Sequence, residues 1–195
     1  MRNSILLASL ILLSCFSSKA QTGWLDTTFS NDGIVQTTYG SSWNQDGAVK
    51  VQPDGKILIG GYSYTTNNSG VHRYNTDGTQ DLSFGTGGTV EFSGAGSLTD
   101  ILVLANSQIL ILTYNQLIRL NSDGSLDLTF NATGMAPLPS DYSGYALGLQ
   151  SNGDIVVGAI HDDSWNSGMY YAKAVRYNSS GAQQDISAGL DCYSM

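Results

Sequence analysis

Basic side chains are scarce in this sequence of 195 residues. It contains 8 Lys and Arg residues against 16 Asp and Glu residues, which gives a formal net charge of −8 at pH 7. Proteins bind phosphate backbones and anionic membrane surfaces mainly through clustered Lys and Arg side chains. The composition therefore predicts no nucleic-acid partner and no attraction to an anionic membrane surface.

Signatures of catalysis and metal binding are missing as well. The sequence has no Gly-x-Ser-x-Gly nucleophile motif, and Glu91 is its single glutamate. Its two histidines, His72 and His161, have no second His or Cys at the spacing of a metal site. His161 stands beside Asp162 and Asp163, but adjacent acids in a loop usually face water. We predict a protein that is not an enzyme, with no catalytic residues, no metal site and no cofactor.

The first 20 residues have the layout of a secretory signal peptide. Arg2 precedes an apolar run at residues 5–13, and small residues lead to a predicted cleavage site after Ala20. The apolar run is about half as long as a helix that spans a bilayer, so we predict no membrane span. Lipid attachment at Cys15 is the alternative, because residues 12–15 loosely resemble a lipoprotein cleavage box.

Cysteine is nearly absent, since the sequence has only Cys15 and Cys192. Cleavage after Ala20 removes the first, so the mature residues 21–195 can form no internal disulfide. Cys192 is interpreted as an unpaired thiol near the end of the chain. We expect the mature chain to be secreted or held at the cell surface, with a periplasmic chain as the alternative.

Three phrases recur in the same order along the mature chain. The phrase VQPDGKILIGGY at residues 51–62 returns at 103–114 and 149–160, RYNTDGTQDLSF from Arg73 returns from Arg119 and Arg176, and LDTTFSNDGIV at 25–35 returns from Asp81 and Asp127. The period is 52 and then 46 residues, which is too long for a β-helix coil. We predict one domain at 21–195 with three repeats, roughly 25–80, 81–126 and 127–187.

Each repeat has the pattern of four short antiparallel strands. Residues 47–52 alternate apolar and polar side chains, and Asp54-Gly55 predicts a two-residue hairpin turn after them. The returning strand is a continuous apolar run, which predicts that both of its faces are covered. The sequence shows no helical period, and its 23 glycines are typical of an all-β chain with many turns.

The joined phrases at residues 51–62 and 71–88 strongly resemble the delta-60 repeat, a family of exported bacterial repeat proteins. The resemblance covers the mature chain, closely in the first repeat and less closely in the other two. It implies a β-propeller-like array of about three four-stranded antiparallel blades, which is an incomplete propeller. It implies no known enzymatic activity.

The loops that begin at Arg73, Arg119 and Arg176 allow two interpretations. Asn75, Asp77 and Asp81 have the spacing of oxygen ligands in a calcium loop. A cation stands where such a loop places its first carboxylate, however, and the third copy has Ser180 and Gln184 in place of acids. We favour a structural brace, in which the Arg reaches Asp77 or Asp81.

Aromatic residues concentrate in segments that differ between repeats and are flanked by Asn, Ser and Gly: Trp43, Tyr62, Tyr64, Trp165, Tyr170 and Tyr171. Large rings at these places can fill wedges between blades. They can also stack on sugar rings, with the neighbouring amides and hydroxyls forming hydrogen bonds. The sequence favours the first interpretation and leaves the second open.

Three blades are fewer than the four to eight that usually close a propeller. A leading strand at residues 34–39 is available to complete another unit's sheet. We consider a homodimer that forms a six-bladed ring, a compact three-unit fold, or a truncated chain. The predicted function is a non-catalytic binding or scaffold module whose partner is a protein or a glycan at the cell surface, with a metal-dependent hydrolase or lactonase-like propeller as the alternative.

Overall fold

The chain folds into three antiparallel sheets. The computed structural model describes residues 24–37 and 44–184, with side chains in the second range described from residue 47. Its strands are β1 (Asn44–Val51), β2 (Ile57–Ser63), β3 (Asn68–Tyr74), β4 (Thr89–Ser93), β5 (Leu98–Val103), β6 (Ile109–Thr113), β7 (Gln116–Leu120), β8 (Met135–Pro137), β9 (Tyr142–Leu149), β10 (Ile155–Asp163) and β11 (Met169–Tyr177). The sheet orders are β1-β2-β3-β4, β5-β6-β7-β8 and β11-β10-β9. The predicted all-β fold of three antiparallel blades is confirmed.

We name the sheets blade 1 (β1–β4), blade 2 (β5–β8) and blade 3 (β9–β11). Blades 1 and 2 have four strands, as predicted, and blade 3 has three among the described residues. Successive strands pair with their neighbours in sequence, which is the meander expected of short strands joined by tight turns. The described residues include no helix long and apolar enough to cross a membrane.

The first hairpin turn of each blade is longer than predicted. Gln52 and Lys56 close a three-residue loop, in which Gly55 N donates to Gln52 O at 2.9 Å. The positive φ falls on the third loop residue, with values of 85° at Gly55, 66° at Ser107 and 86° at Gly153. The predicted two-residue turn needs positive φ at both central residues, Asp54 and Gly55, whereas only the last residue of the observed loop has it.

Blade 2 lies between the other two blades and has both of its faces covered. Leu58, Val71 and Phe84 of blade 1 pack against Ile109 and Ile111 on one face of blade 2. Its other face packs against blade 3, where the shared core contains Leu110, Leu112, Leu117, Ile155, Val157 and Val175.

The second strands of the blades show the effect of this order. All five residues of β6 are buried, whereas burial alternates along β10. The prediction that every second strand is covered on both faces is therefore correct for the middle blade and wrong for blade 3. A blade at the end of a stack has a neighbour on one face only.

The stack that the described residues form is not closed on itself. Val49 and Val51 on the outward face of blade 1 are 66% and 61% exposed, and Ile160 on the outward face of blade 3 is 37% exposed. Residues 34–37, the described part of the predicted leading strand, pair with no strand among the described residues. The remainder of that prediction, residues 38–39, lies outside the described residues.

Candidate functional site

The topology sorts the connections of the three blades onto two edges. The hairpins β2–β3, β6–β7 and β10–β11 lie on one edge, which we call the hairpin edge. The turns after β1, β5 and β9 and the loops that follow β3, β7 and β11 lie on the opposite edge, which we call the joint edge. The two edges differ in chemistry. Buried ion pairs lie in the loops after β3 and β7, and exposed aromatic rings lie in the hairpins.

The loop after β3 joins blade 1 to blade 2. Arg73 Nε donates to Asp81 Oδ2 at 2.7 Å, and both side chains are 8% exposed. Arg73 Nη1 donates to the carbonyl of Ser122 in blade 2 at 2.5 Å. The guanidinium carbon lies 4.4 Å from the centre of the Phe84 ring. One arginine thus holds an acid and an aromatic ring of its own blade and the backbone of the next blade.

The loop after β7 repeats this arrangement between blades 2 and 3. Arg119 Nε donates to Asp127 Oδ2 at 2.7 Å, and Nη1 donates to Ser179 O at 2.5 Å. The guanidinium carbon lies 4.6 Å from the centre of the Phe130 ring. Because the contacts recur with the sequence phrase, the phrase encodes a joint between consecutive repeats.

The residue after each phenylalanine donates a backbone hydrogen bond to the next loop. Gly85 N donates to Asp123 O at 2.8 Å, Asn131 N donates to Ser180 O at 2.7 Å, and Ser30 N donates to Asp77 O at 2.8 Å. Gly124 has a φ of +90°, and a Cβ there would lie 3.0 Å from a ring carbon of Phe84 and 2.8 Å from Gly85 N. Glycine is required at this point because the next blade seats directly on the ring and backbone of the preceding one.

The acids of the first loop are divided between two tasks. Asp81, rather than Asp77, receives the arginine. Asp77 Oδ1 instead accepts hydrogen bonds from Thr79 N at 2.9 Å and Thr79 Oγ1 at 2.7 Å, which closes the turn. Residues 24–37 and 44–184 contain no group of three or more His, Cys, Asp or Glu side chains placed to hold a metal ion. This geometry supports the brace interpretation of the loop.

Asp81 also receives a second cation. Lys56 Nζ lies 2.7 Å from Asp81 Oδ2. Burial acts to raise the pKa of Asp81, but hydrogen bonds from Lys56 and Ser83 and the charge of Arg73 outweigh it and hold the pKa well below 3.8. The carboxylate therefore stays ionised and keeps both cations at neutral pH.

The second loop has a neutral side chain in place of that lysine. Gln108 Nε2 donates to Asp127 Oδ2 at 2.6 Å. Burial again acts to raise the pKa of Asp127, and hydrogen bonds from Thr129 and Arg119 together with the charge of Arg119 lower it below 3.8. The single guanidinium of Arg119 thus balances the charge of the second joint.

The third copy of the loop is not a complete joint. Arg176 Nε lies 4.0 Å from Asp154 Oδ2, and the arginine side chain is 46% exposed. Gln184 N donates to Arg176 O at 2.7 Å, which is the backbone bond that Asp81 and Asp127 make in the other copies. Gln184 therefore holds the position of the acid without its charge.

The aromatic residues that the sequence singled out lie on the hairpin edge where they are described. Tyr62 and Tyr64 form an edge-to-face pair with ring centres 5.0 Å apart, and the hydroxyl of Tyr62 donates to Asn67 Oδ1. Trp165 and Tyr170, in the β10–β11 hairpin, are 93% and 67% exposed. Trp43 lies outside the described residues.

Three further tyrosines of this edge were missed by the sequence analysis. Tyr114 and Tyr145 bring blades 2 and 3 together, with ring centres 5.5 Å apart. His161 stacks between Tyr142 at 4.7 Å and Tyr171 at 6.2 Å. His161 pairs with these two tyrosines across β9, β10 and β11, so the signal is the strand register. Tyr171 thus belongs to a stack across the strands of blade 3 rather than to a wedge between blades, whereas Trp165 and Tyr170 are open to solvent.

The remaining candidates have polar surroundings. His72 Nδ1 lies 2.8 Å from the hydroxyl of Thr89. An open groove of about 740 Å³ lies between blades 1 and 2, and its lining includes Thr86, Glu91, Asp123 and Ser125. It offers hydroxyl and carboxylate oxygens to a ligand that carries hydrogen-bond donors.

Comparisons with known proteins agree with the repeats. The model of a family described as a domain of unknown function (DUF5122), β-propeller, matches residues 52–84 and 111–130. The two segments end at Phe84 and Phe130 and contain the loops of Arg73 and Arg119, so they include the arginine, the acid and the phenylalanine of both complete joints. A search of the curated proteins finds no match.

A crystal structure of a protein of unknown function from Bacteroides caccae resembles the chain at 12% sequence identity and a TM-score of 0.34. The match covers 75% of this chain and 68% of that one. The support for propeller blades comes from the two segments that match the family.

Proposed function

We propose that the chain is an exported, non-catalytic binding module of the delta-60 repeat type. Its joints stiffen a stack of blades, and its hairpin edge takes a protein or a glycan at the cell surface. The signal-peptide layout of residues 1–20 supports export, and the match at residues 52–84 and 111–130 supports the repeat assignment.

The observation that carries the proposal is the contrast between the two edges. The ion pairs of Arg73 and Arg119 are buried and link neighbouring blades. On the opposite edge, Tyr64, Trp165 and Tyr170 are 60%, 93% and 67% exposed. Exposed aromatic rings on one edge of the blades, two of them in a single hairpin, are the kind of side chain that binding surfaces use.

Carbohydrate is the ligand class that this edge suits best. Aromatic rings offer flat apolar faces to sugar rings, and the neighbouring amides and hydroxyls offer hydrogen bonds. Asn67 beside Tyr62, and Asn166 and Ser167 beside Trp165, are side chains of this type, and all three are exposed. Hydrolysis is the less favoured alternative, because the acids at the repeated loop positions, Asp81 and Asp127, are already bound to arginine.

A glycan array with three proteins tests the proposal. The wild-type chain should bind a defined set of glycans, and the variant Tyr64→Ser/Trp165→Ser should lose about tenfold or more in affinity, because it lacks two exposed rings. Trp24→Ser is the matched control, since Trp24 is 84% exposed but precedes blade 1 rather than lying in a hairpin. It should bind as the wild type does.

Two results would contradict the proposal at different levels. A wild-type chain that binds no glycan would remove carbohydrate as the ligand class. Equal binding by the wild-type chain and the double variant would remove the hairpin edge as the site.

A further inference from the structure

Asp26 and Arg176 correspond to the acid and the arginine of a joint, but the repeats of one chain do not bring them together. Asp26 and Phe29 have the same spacing as Asp81 and Phe84. No arginine loop precedes Asp26 in the sequence. At the other end, Arg176 begins a loop in which Gln184 replaces the acid.

The side chain of Asp26 accepts the same local hydrogen bonds as the acids of the complete joints. Its Oδ1 accepts hydrogen bonds from Thr28 N at 3.0 Å and Thr28 Oγ1 at 2.6 Å. Asp81 Oδ1 accepts the same two bonds from Ser83, at 3.1 and 2.6 Å, while Asp81 Oδ2 receives the arginine. Among the described residues, Oδ2 of Asp26 has no such partner.

The segment that carries Asp26 is already seated on blade 1. Ser30 N donates to Asp77 O at 2.8 Å, as Gly85 does to Asp123 in the joint between blades 1 and 2. A Cβ on Gly78 would lie 3.1 Å from a ring carbon of Phe29. The segment therefore occupies the place of the outer loop of a preceding blade, and the described residues contain no such blade.

The outward faces of the end blades are exposed where the equivalent faces inside the stack are buried. Val49 is 66% exposed, while its counterpart Ile101 in blade 2 is 2% exposed. On blade 3, Ala174 is exposed, while its counterparts Val71 and Leu117 are fully buried. The outward face of blade 1 thus corresponds to the face of blade 2 that packs against blade 1. The outward face of blade 3 corresponds to the faces of blades 1 and 2 that pack against the next blade.

We propose that two copies of this chain associate head to tail into a ring of six blades. Asp26 of one copy pairs with Arg176 of the other, and Asp26 takes the place that Gln184 holds at the edge of β11. Blade 2 separates the two ends of the stack within the described residues, and a second copy supplies a partner for both ends at once. Six blades lie within the usual range for a closed propeller.

The same alignment gives the strand register. Thr89 pairs with His72 in blade 1, and Met135 pairs with Ile118 in blade 2. The equivalent pair is Ile34 of one copy opposite Val175 of the other. Residues 34–37 then become the fourth strand of blade 3 and cover the edge of β11, with which no strand of the described residues pairs.

A charge exchange tests this pairing. Sedimentation equilibrium of the full chain under reducing conditions, which exclude disulfide dimers, should give the mass of two chains. Asp26→Arg or Arg176→Asp should raise the dissociation constant of the dimer by roughly 30-fold or more, because each leaves like charges facing one another. The double variant Asp26→Arg/Arg176→Asp should recover the dimer, since the pair is restored with its signs exchanged.

Asp163→Arg is the control, because it makes the same charge change on the hairpin edge and should leave the dimer intact. Circular dichroism of each variant separates loss of association from loss of fold, and recovery in the double variant cannot arise from misfolding. A monomeric wild-type chain would overturn the proposal. Single variants that keep the wild-type mass, or a double variant that stays monomeric, would overturn it as well.

Discussion

Replacing Phe130 by Ala is expected to lower the free energy of unfolding by about 3–5 kcal/mol. The ring is fully buried, carries Arg119 on one side and receives Gly181 of blade 3 on its edge, at 2.8 Å from the position of an added Cβ. Truncation leaves a cavity at the point where two blades meet. Urea denaturation followed by circular dichroism measures the change.

Leu128→Ala is the control for this substitution. Leu128 stands two residues before Phe130 and is 65% exposed, so its truncation should change the free energy of unfolding by no more than about 0.5 kcal/mol. If Phe130→Ala cost no more than Leu128→Ala, the ring would not be part of the joint.

Replacing Asp127 by Ala is expected to cost about 3–5 kcal/mol, because it leaves the buried guanidinium of Arg119 without its counter-charge. Arg119 and Asp127 are 9% and 5% exposed. Asp127→Asn should cost less, because the amide oxygen still accepts the hydrogen bond. Thermal and urea unfolding of both variants check the order, and equal losses would show that the hydrogen-bond acceptor contributes nothing beyond the charge.

The carboxyl groups of Asp81 and Asp127 predict how the stability of the fold varies with pH. The pKa values of Asp81 and Asp127 are lower in the folded chain than the ordinary value of 3.8. Their contribution to stability is therefore present above that ordinary value and is lost as the pH falls through the folded values. Unfolding midpoints should decline below about pH 4, and the decline should be smaller in Asp127→Asn.

The sheets could be predicted from the sequence because their signals are local. Alternation along residues 47–52 and the glycine of Asp54-Gly55 fix a strand and a turn within ten residues. The Arg73–Asp81 pair was within reach for the same reason, since the two residues are eight apart. The turn length was missed because an Asp-Gly pair fits the last two residues of a three-residue loop as well as a two-residue turn.

The contacts between repeats could not be predicted in this way. Arg73 reaches the carbonyl oxygen of Ser122, and a backbone carbonyl has no sequence signature. The stack of Tyr142, His161 and Tyr171 depends on the register of three strands and on an irregularity between Gly158 and Ala159. A shift of one residue would place these rings on opposite faces, so spacing alone does not reveal them.

Hydrogen exchange at Asn131 tests the central claim, that the repeated loop is a joint between blades. Its N–H donates to Ser180 O in the next blade at 2.7 Å. We predict that this amide exchanges as slowly as the buried amides of β6, through global unfolding. Exchange as fast as that of Asn166, in the exposed β10–β11 hairpin, would show that the blades separate without unfolding and would contradict the claim.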